Sequence, residues 1–295
     1  MNGIINVLKP TNMTSFDVVA YLRRVVGERK IGHTGTLDPM ATGVLPVCIG
    51  KATGVIDYIL NKDKSYVAEI VFGKNTTTED ATGKVTEVFD NNASIDEIKG
   101  AICSFEGGYS QIPPMYSAVK INGQKLCDLA RKGEVIKRAP RSVKISNIEV
   151  VSIKDNTKAI FRCDVSKGTY IRTLCYDIGK KLGIGAYMSF LVRDRVGEFE
   201  IQDALTLEKI KSLSDSGKLD RHLLCPDCVL QDYPRLPLSK EQEKKFLNGN
   251  LVKLRGFTAS SDYYRVYGYD ERFIAIGILV KKDDVVFIKS KKLFA

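Results

Sequence analysis

The stretch KIGHTGTLDPMATGVLPVCIG, residues 30–50, contains one acidic residue, one histidine and four glycines. Asp38 lies between Leu37 and Pro39, with further apolar residues on both sides. A carboxylate in this setting is either half-buried for a chemical purpose or part of a turn that faces water. The glycines and threonines of residues 32–43 predict a loop, and the apolar run that follows predicts a buried strand.

The composition is that of a folded globular protein: of 295 residues, 44% are hydrophobic and 27% are charged. This length allows one large domain with a small one, or two ordinary ones. The sequence has no run of 18 apolar residues and no visible secretory signal, so we expect no membrane association. Seven scattered cysteines indicate reduced thiols rather than a disulfide framework, and hence a cytoplasmic protein.

The chain is basic, with 45 Lys and Arg against 35 Asp and Glu, a formal net charge of +10. Such a surplus favours an anionic partner, of which nucleic acid comes first and an acidic membrane surface second. A basic protein without any such partner has the same composition, so charge alone does not separate these readings.

The order of predicted elements indicates an α+β fold, because strands and helices do not alternate steadily. We predict strands over 4–8, 44–50 and 64–72, with GKVTEVFD (83–90) as an antiparallel neighbour of the last. Helices are predicted over 15–26, 94–105 and about 169–182. A short helix is expected near 125–134, followed by extended chain.

The composition changes after residue 232. A linker with a short charged helix precedes 45 residues of short alternating strands, the pattern of a small β-barrel. We therefore predict a catalytic domain over 1–232 and an all-β domain over 233–295.

Motifs for common cofactors are missing from the sequence. It contains neither G-x-x-x-x-G-K-[ST] nor G-x-G-x-x-G after a strand, and no G-x-S-x-G for a serine nucleophile. Cys225 and Cys228 form a single C-x-x-C with only His222 nearby, which is too few ligands for zinc. We expect no cofactor and no metal.

Two residues elsewhere could work with Asp38. Tyr66 lies in the predicted strand KSYVAEI, and Arg172 begins the predicted helix after SKGTY. An arginine could keep a desolvated aspartate ionised and oriented. Whether these residues meet in space does not follow from their spacing.

The same stretches resemble a known family. The sequences KIGHTGTLDPMATGVLP, KSYVAEIVFG, QIPPMYSAVKINGQKL, ARKG and SKGTYIRTL follow the order and spacing of the TruB family, the bacterial tRNA pseudouridine(55) synthases. The resemblance covers about residues 2–200, and the C-terminal strands are loosely similar to the small PUA-like domain of many members. It implies the pseudouridine synthase fold, a mixed and largely antiparallel sheet with flanking helices and an RNA-contacting insertion.

The resemblance also implies roles for individual residues. Asp38 corresponds to the catalytic aspartate, Arg172 to the arginine that pairs with it, and Tyr66 to a tyrosine that stacks on the target base and is a candidate for removing the C5 proton. His33 corresponds to a histidine that fills the space left by the target base, and Lys9 and Pro10 to a motif beside the active site. The other substrate-binding residues implied are Gly32, Thr34, Gly35 and Tyr170.

Residues of about 113–142 correspond to an insertion that closes over RNA. Its basic residues suit contacts with phosphates; they are Lys120, Lys125, Arg131, Lys132, Lys137, Arg138 and Arg141. One position departs from the family, because Thr77 stands where an acid is usual, while Thr76, Thr78 and Asp80 match.

The implied activity is the isomerisation of uridine 55 in the T-loop of tRNA to pseudouridine, by a monomer that needs no guide RNA. The target base must leave the stack to be reached. The aspartate could attack C6, attack C1′, or take a proton from C2′ on a glycal route. Rival hypotheses are a guide-dependent synthase, a non-catalytic tRNA chaperone and a basic structural or ribosome-associated module.

Overall fold

The computed structural model describes residues 1–117, 119–121, 123–283 and 285–295, without the side chains of Lys120 and Lys125. The strands are β1 (Gly3–Lys9), β2 (Ile31–His33), β3 (Thr42–Ile49), β4 (Lys64–Phe72), β5 (Lys74–Thr76), β6 (Val85–Val88), β7 (Gly107–Gln111), β8 (Lys120–Ile121), β9 (Gln124–Lys125), β10 (Arg141–Lys154), β11 (Lys158–Val165), β12 (Ala186–Val196), β13 (Phe199–Glu200), β14 (Arg235–Pro237), β15 (Val252–Lys253), β16 (Tyr263–Tyr267), β17 (Phe273–Lys282) and β18 (Val285–Leu293). The α-helices are α1 (Ser15–Val26), α2 (Ile56–Leu60), α3 (Ile95–Cys103), α4 (Leu126–Arg131), α5 (Ile171–Leu182), α6 (Leu207–Asp215) and α7 (Lys240–Leu247).

One mixed sheet organises the first two thirds of the chain. In the described ranges it has nine strands in the order β1-β3-β12-β4-β11-β10-β7, with β2 added on β3 and β13 on β12. The pairing of β12 with β3 is parallel, whereas β12 and β4 are antiparallel. The predicted fold class, an α+β pseudouridine synthase fold with a C-terminal β module, is confirmed.

Local signals explain where the helices begin and end. Thr14 and Asp17 form a capping box at the start of α1, and Gly27 ends that helix in the left-handed conformation at φ 69°. Ser94 and Glu97 form the same box on α3. Gly183 ends α5 at φ 73°. These boundaries follow the sequence predictions closely.

Helices cover the sheet in two places. α3 and α5 pack Ile98, Leu174 and Ile178 against residues of β4, β10, β11 and β12. At the other end, α1 and α6 pack against β1 and β3 in a second cluster. Ile4 and Val44 point the opposite way, into a third apolar cluster. Both faces of β1 and β3 are therefore buried, which explains their continuous apolar sequences.

The C-terminal module contains a separate sheet of five strands within the described ranges, in the order β14-β16-β17-β18-β15. Tyr267, Phe273 and Phe294 of this module share an apolar cluster with Ile4 and Val44 of the first sheet. The Tyr267 hydroxyl donates a hydrogen bond of 2.6 Å to Asp227 across the same joint. The predicted short charged helix of the linker is α7. The domain boundary at 232/233 stays a prediction.

One strand pairing is predicted wrongly. Residues 83–90 do not pair with β4, because β11 and β12 occupy both of its edges. Instead β6 pairs with β5 in a separate hairpin, and all of its residues are exposed. Strand β12, which lies between β3 and β4, was not among the predicted strands.

Candidate active site

Asp38 lies in the connection between β2 and β3. The Ser15 hydroxyl at the start of α1 accepts a hydrogen bond of 2.9 Å from the Leu37 N–H, which fixes the residue before it. At the end of this connection Gly43 has φ +115°, and a Cβ there would lie 2.1 Å from the carbonyl oxygen of Arg193 on β12. Only glycine fits this position, so β12 can approach the connection closely.

Arg172, the second residue of α5, binds Asp38 with two nitrogens. Its Nε lies 2.9 Å from Oδ2 and its Nη2 lies 3.3 Å from Oδ1. The two side chains differ in exposure, 6% for Arg172 and 34% for Asp38. The guanidinium is therefore enclosed in protein, whereas the carboxylate that it orients can be reached from outside.

The rest of the Arg172 guanidinium is also held. Nη1 donates 3.2 Å to the carbonyl of Thr78 and lies 3.7 Å from Oδ2 of Asp80, and Nη2 donates 2.8 Å to the carbonyl of Tyr116. Asp80 is itself oriented, because its Oδ1 accepts 2.9 Å from the Thr82 N–H. Asp80, which the sequence analysis noted only as a motif match, is therefore part of the site.

The charge state of Asp38 reflects opposing influences. Burial raises the pKa of Asp38 above its ordinary value, and the guanidinium of Arg172 acts against that rise. A guanidinium that donates two hydrogen bonds to a carboxylate favours the ionised form of that carboxylate. Such a carboxylate can act as a nucleophile or as a general base.

Lys9 and Pro10 lie beneath the Asp38 connection. The Lys9 side chain is fully buried, and its Nζ donates 2.8 Å to Pro10 O, 2.6 Å to Met13 O and 3.4 Å to Pro39 O. Burial lowers the pKa of Lys9 to about 8. Lys9 thus donates hydrogen bonds to three main-chain carbonyls, and the residue of one of them, Pro39, follows Asp38 in the sequence. Direct contact of Lys9 or Pro10 with substrate stays a prediction.

Tyr66 lies on β4, opposite Cys163 of β11 and Arg193 of β12. Its side chain is 9% exposed and belongs to the same apolar cluster as Leu37 and Ala41, which lie on either side of Asp38 in the sequence. The tyrosine and the aspartate thus come from different parts of the chain into one region of the core. The catalytic role of Tyr66 stays a prediction.

The predicted residues Gly32 and His33 lie in strand β2, and Thr34 and Gly35 follow it. Gly32 and His33 pair with Cys48 and Val47 of β3. Burial lowers the pKa of His33, and the charge of Arg193 lowers it further, so both effects favour the neutral imidazole. Its Nδ1 is buried without a hydrogen-bond partner among the described residues.

Thr34 and Gly35 have interior partners. The Thr34 hydroxyl donates 2.9 Å to Pro46 O, and Gly35 O accepts 3.1 Å from Nη2 of Arg193. Both contacts hold the connection that carries Asp38, and a contact of these residues with substrate stays a prediction.

Tyr170 precedes α5 and is clamped by Gln111 of β7. The Gln111 carboxamide accepts 2.8 Å from the Tyr170 N–H and donates 3.0 Å to its carbonyl. Burial raises the pKa of the Tyr170 phenol, and the charges of Arg141 and Arg172 oppose that rise. Gln111 was not among the predicted site residues, although it begins the motif QIPPMYSAVK.

The predicted insertion contains the hairpin of β8 and β9 and helix α4. Arg131 is exposed and pairs with Asp128 at 3.3 Å, and Arg141 begins β10 opposite Gln111. The side chains of Lys120 and Lys125 lie outside the description. The roles of these basic residues in RNA binding stay predictions.

Among the described residues, no three or more His, Cys, Asp and Glu side chains are grouped so that they could hold a metal ion. No helix in that part of the chain has the length and apolar character needed to span a membrane. All seven cysteines are free thiols. Within the part of the chain that the structure describes, Asp38 and Arg172 form the candidate active site.

The profiles of two known protein domains match this chain. The profile of the TruB family pseudouridylate synthase N-terminal domain matches residues 23–171, and that of the tRNA pseudouridylate synthase B C-terminal domain matches residues 172–231. The chain belongs to the TruB family. It is therefore a pseudouridylate synthase, and the resemblance drawn from the motifs is confirmed.

Similar curated proteins match most or all of the chain. A tRNA pseudouridine synthase B of Clostridioides difficile (strain 630) is 42% identical over 302 residues, covering 100% of both chains. The proteins of the same name from Alkaliphilus oremlandii and Staphylococcus haemolyticus are 47% and 43% identical, over 85% and 99% of this chain and 83% and 99% of theirs.

Solved structures share the fold. The crystal structure of a Cbf5–Nop10–Gar1 complex contains a chain with 27% identity and a TM-score of 0.75, covering 99% of this chain and 85% of that one. An H/ACA RNP bound to a substrate RNA containing 2′-deoxyuridine gives 24% identity and a TM-score of 0.73, covering 99% of this chain and 85% of that chain.

Proposed function

We propose that this TruB family member converts uridine 55 in the T-loop of tRNA to pseudouridine, acting as a monomer without guide RNA or cofactor. The Asp38–Arg172 pair carries the proposal. Two guanidinium nitrogens hold the Asp38 carboxylate in one orientation, and the carboxylate remains accessible from outside, so it can act on a bound substrate as a nucleophile or a base. The relatives at 42–47% identity are named for tRNA, which supports the substrate class.

The reaction is an isomerisation that conserves all atoms. The N1–C1′ bond of the uridine breaks, the base turns, C5 bonds to C1′, and the C5 proton leaves while N1 gains one. Asp38 begins this sequence by attack at C6 or C1′, or by taking the C2′ proton. Arg172 holds its carboxylate in one orientation through these steps.

The substrate must present its base by flipping, since a glycosidic bond inside folded RNA is out of reach of any side chain. Tyr66 offers an aromatic face for the flipped uracil, and base–aromatic stacking is worth about 1–3 kcal/mol. Neutral His33 suits the space that the base leaves, because no charge has to be desolvated there. The net charge of +10 favours binding to the tRNA phosphates.

A guide-dependent synthase is the second candidate, and the shared fold with the Cbf5–Nop10–Gar1 complex favours it. The identity of 27% to that chain is well below the 42–47% to the relatives named tRNA pseudouridine synthase B. A stand-alone enzyme is therefore preferred.

The test is tritium release from C5-labelled uridine in an unmodified tRNA transcript, with no guide RNA and no added cofactor. Wild type is compared with Asp38→Asn, and a transcript with cytidine at position 55 is the substrate control. We expect release by the wild type only, and only from the transcript with uridine 55. Tight tRNA binding without release by either protein would point to a guide-dependent or chaperone role.

A further inference from the structure

The segment Thr78–Asp80 lies against the start of α5 and contacts it through every one of its residues. The Thr78 carbonyl accepts 3.2 Å from Nη1 of Arg172, and Oδ2 of Asp80 lies 3.7 Å from the same nitrogen. Between them, Oε2 of Glu79 accepts a hydrogen bond of 2.6 Å from the hydroxyl of Thr173, the next residue along α5. This segment thus touches both Arg172 and its neighbour.

Glu79 has an uncommon backbone conformation for a residue with a side chain. Its φ is 62°, in the left-handed region that non-glycine residues rarely adopt. Its N–H donates 3.2 Å to Thr76 O, and its carbonyl accepts 3.1 Å from the Met188 N–H on β12. With the Thr173 bond, Glu79 is held on three sides, and only the Thr173 contact reaches α5.

The division of the Arg172 nitrogens shows what the segment does. Nε and Nη2 bond Asp38, whereas Nη1 points to Thr78 and Asp80. A guanidinium is planar, so the position of Nη1, together with the bond from Nη2 to the Tyr116 carbonyl, sets the plane in which Arg172 meets the carboxylate. A shift of the segment along α5 would rotate that plane.

The Glu79–Thr173 bond is well placed to prevent such a shift. Thr173 is 3% exposed, and Glu79 is half-buried beside a groove of about 680 Å³ between α5 and β7. The charges facing Glu79 are those of Arg172 and Asp177 from α5 and of Arg138 from the insertion. Protein encloses Thr173, whereas the groove leaves the Glu79 carboxylate partly open to solvent.

We propose that Glu79 is a positioning residue for pseudouridine formation, which locks segment 78–80 to Thr173 and so sets the angle at which Arg172 holds Asp38. The proposal rests on the proposed function, since it assigns Glu79 a part in the same reaction. Neither Glu79 nor Thr173 contacts Asp38, so both act through Arg172.

The experiment measures single-turnover rate constants on the labelled tRNA transcript with enzyme in excess, and the Kd for tRNA by filter retention. The variants are Glu79→Ala, Thr173→Val, the combination of both, and Thr173→Ser, which keeps the hydroxyl. Tyr267→Phe is the matched control, because it removes another hydroxyl-to-carboxylate bond of 2.6 Å, to Asp227 at the joint of the two modules. Thermal unfolding checks that each variant is folded.

Each single loss of the bond is expected to lower the rate constant about tenfold, as for a hydrogen bond to a charged group. The combined variant should be no slower than either single one, Thr173→Ser should stay within about twofold of wild type, and Kd should be unchanged. The control should keep the wild-type rate.

An unchanged rate in Glu79→Ala and Thr173→Val, or losses that multiply to about a hundredfold in the combined variant, would overturn the proposal while wild-type turnover upholds the proposed function. A change in Kd alone would overturn it as well. Absence of turnover in the wild type would instead overturn the proposed function, and the positioning role with it.

Discussion

Replacing Arg172 by methionine keeps most of the side chain's length and removes both bonds to Asp38. Hydrogen bonds to charged groups are worth about 1.5–3 kcal/mol each. Asp38 is 34% exposed, so water replaces part of what is lost, and the lower end applies. A loss of about 3 kcal/mol corresponds to a rate about 100-fold lower, provided that the orientation matters in the transition state.

The pH dependence gives this prediction a second readout. In the proposed mechanism Asp38 reacts as the carboxylate, so activity should fall as the pH drops through its pKa, which burial raises above the ordinary value. Arg172 opposes that rise, and its removal should therefore move the acid limb of the pH–rate profile to higher pH. Arg172→Lys keeps the charge but not the two-point contact, so we expect a smaller shift of the limb and a rate between the two.

The assay is single-turnover tritium release between pH 5 and 9, with tRNA binding measured in parallel. Arg195→Met is the matched control, since Arg195 forms an ion pair of 2.8 Å with Asp164 in the same sheet. If Arg172→Met reacted within threefold of wild type and its acid limb stayed in place, the claim that Arg172 orients Asp38 for the reaction would be refuted.

Four further changes test other parts of the structure. Asp80→Asn should slow turnover about tenfold with tRNA binding retained, because Asp80 holds Arg172 rather than substrate; weaker binding at an unchanged rate would contradict this. Tyr66→Phe keeps the aromatic face, so tRNA affinity should persist while turnover falls at least tenfold, and full turnover would exclude a proton-transfer role. Arg141→Glu should weaken tRNA binding and make the slope of log K against log salt shallower by about one, whereas a salt-independent loss would argue against a phosphate contact. Gly43→Ala should lower the free energy of unfolding in urea by about 2 kcal/mol or more, since its Cβ would meet the backbone of Arg193; unchanged stability would show that this backbone can move.

Helices and their ends could be predicted because their signals are local. The capping box of Thr14 and Asp17 and the left-handed glycine at position 27 act within a few residues of the chain. The pairing of residues 83–90 was predicted wrongly because strand partners are set by which edges remain free, and both edges of β4 are occupied.

Strand β12 was overlooked because its sequence includes Arg193, Asp194 and Arg195, which give it the appearance of a polar segment. Arg193 and Asp194 are nevertheless buried, with Arg193 only 1% exposed. Its Nε donates 2.8 Å to the carbonyl of Val44, so hydrogen bonds make the burial of this charge acceptable.

The sequence by itself determined the family and the net charge of +10 and, through the family motifs, led to the proposal of Asp38 and Arg172 as the catalytic pair, because the residues and motifs carry these directly. Only the tertiary structure decided how the pair is built. It brings together two residues 134 positions apart and leaves Asp38 more exposed than its partner. It also adds the contacts of Arg172 with Asp80 and with the carbonyls of Thr78 and Tyr116. The hydrogen bond from Thr173 to Glu79 is a further contact that only the structure shows. Main-chain carbonyls have no signature in a sequence, and an ion pair between distant segments depends on how the sheet and α5 pack.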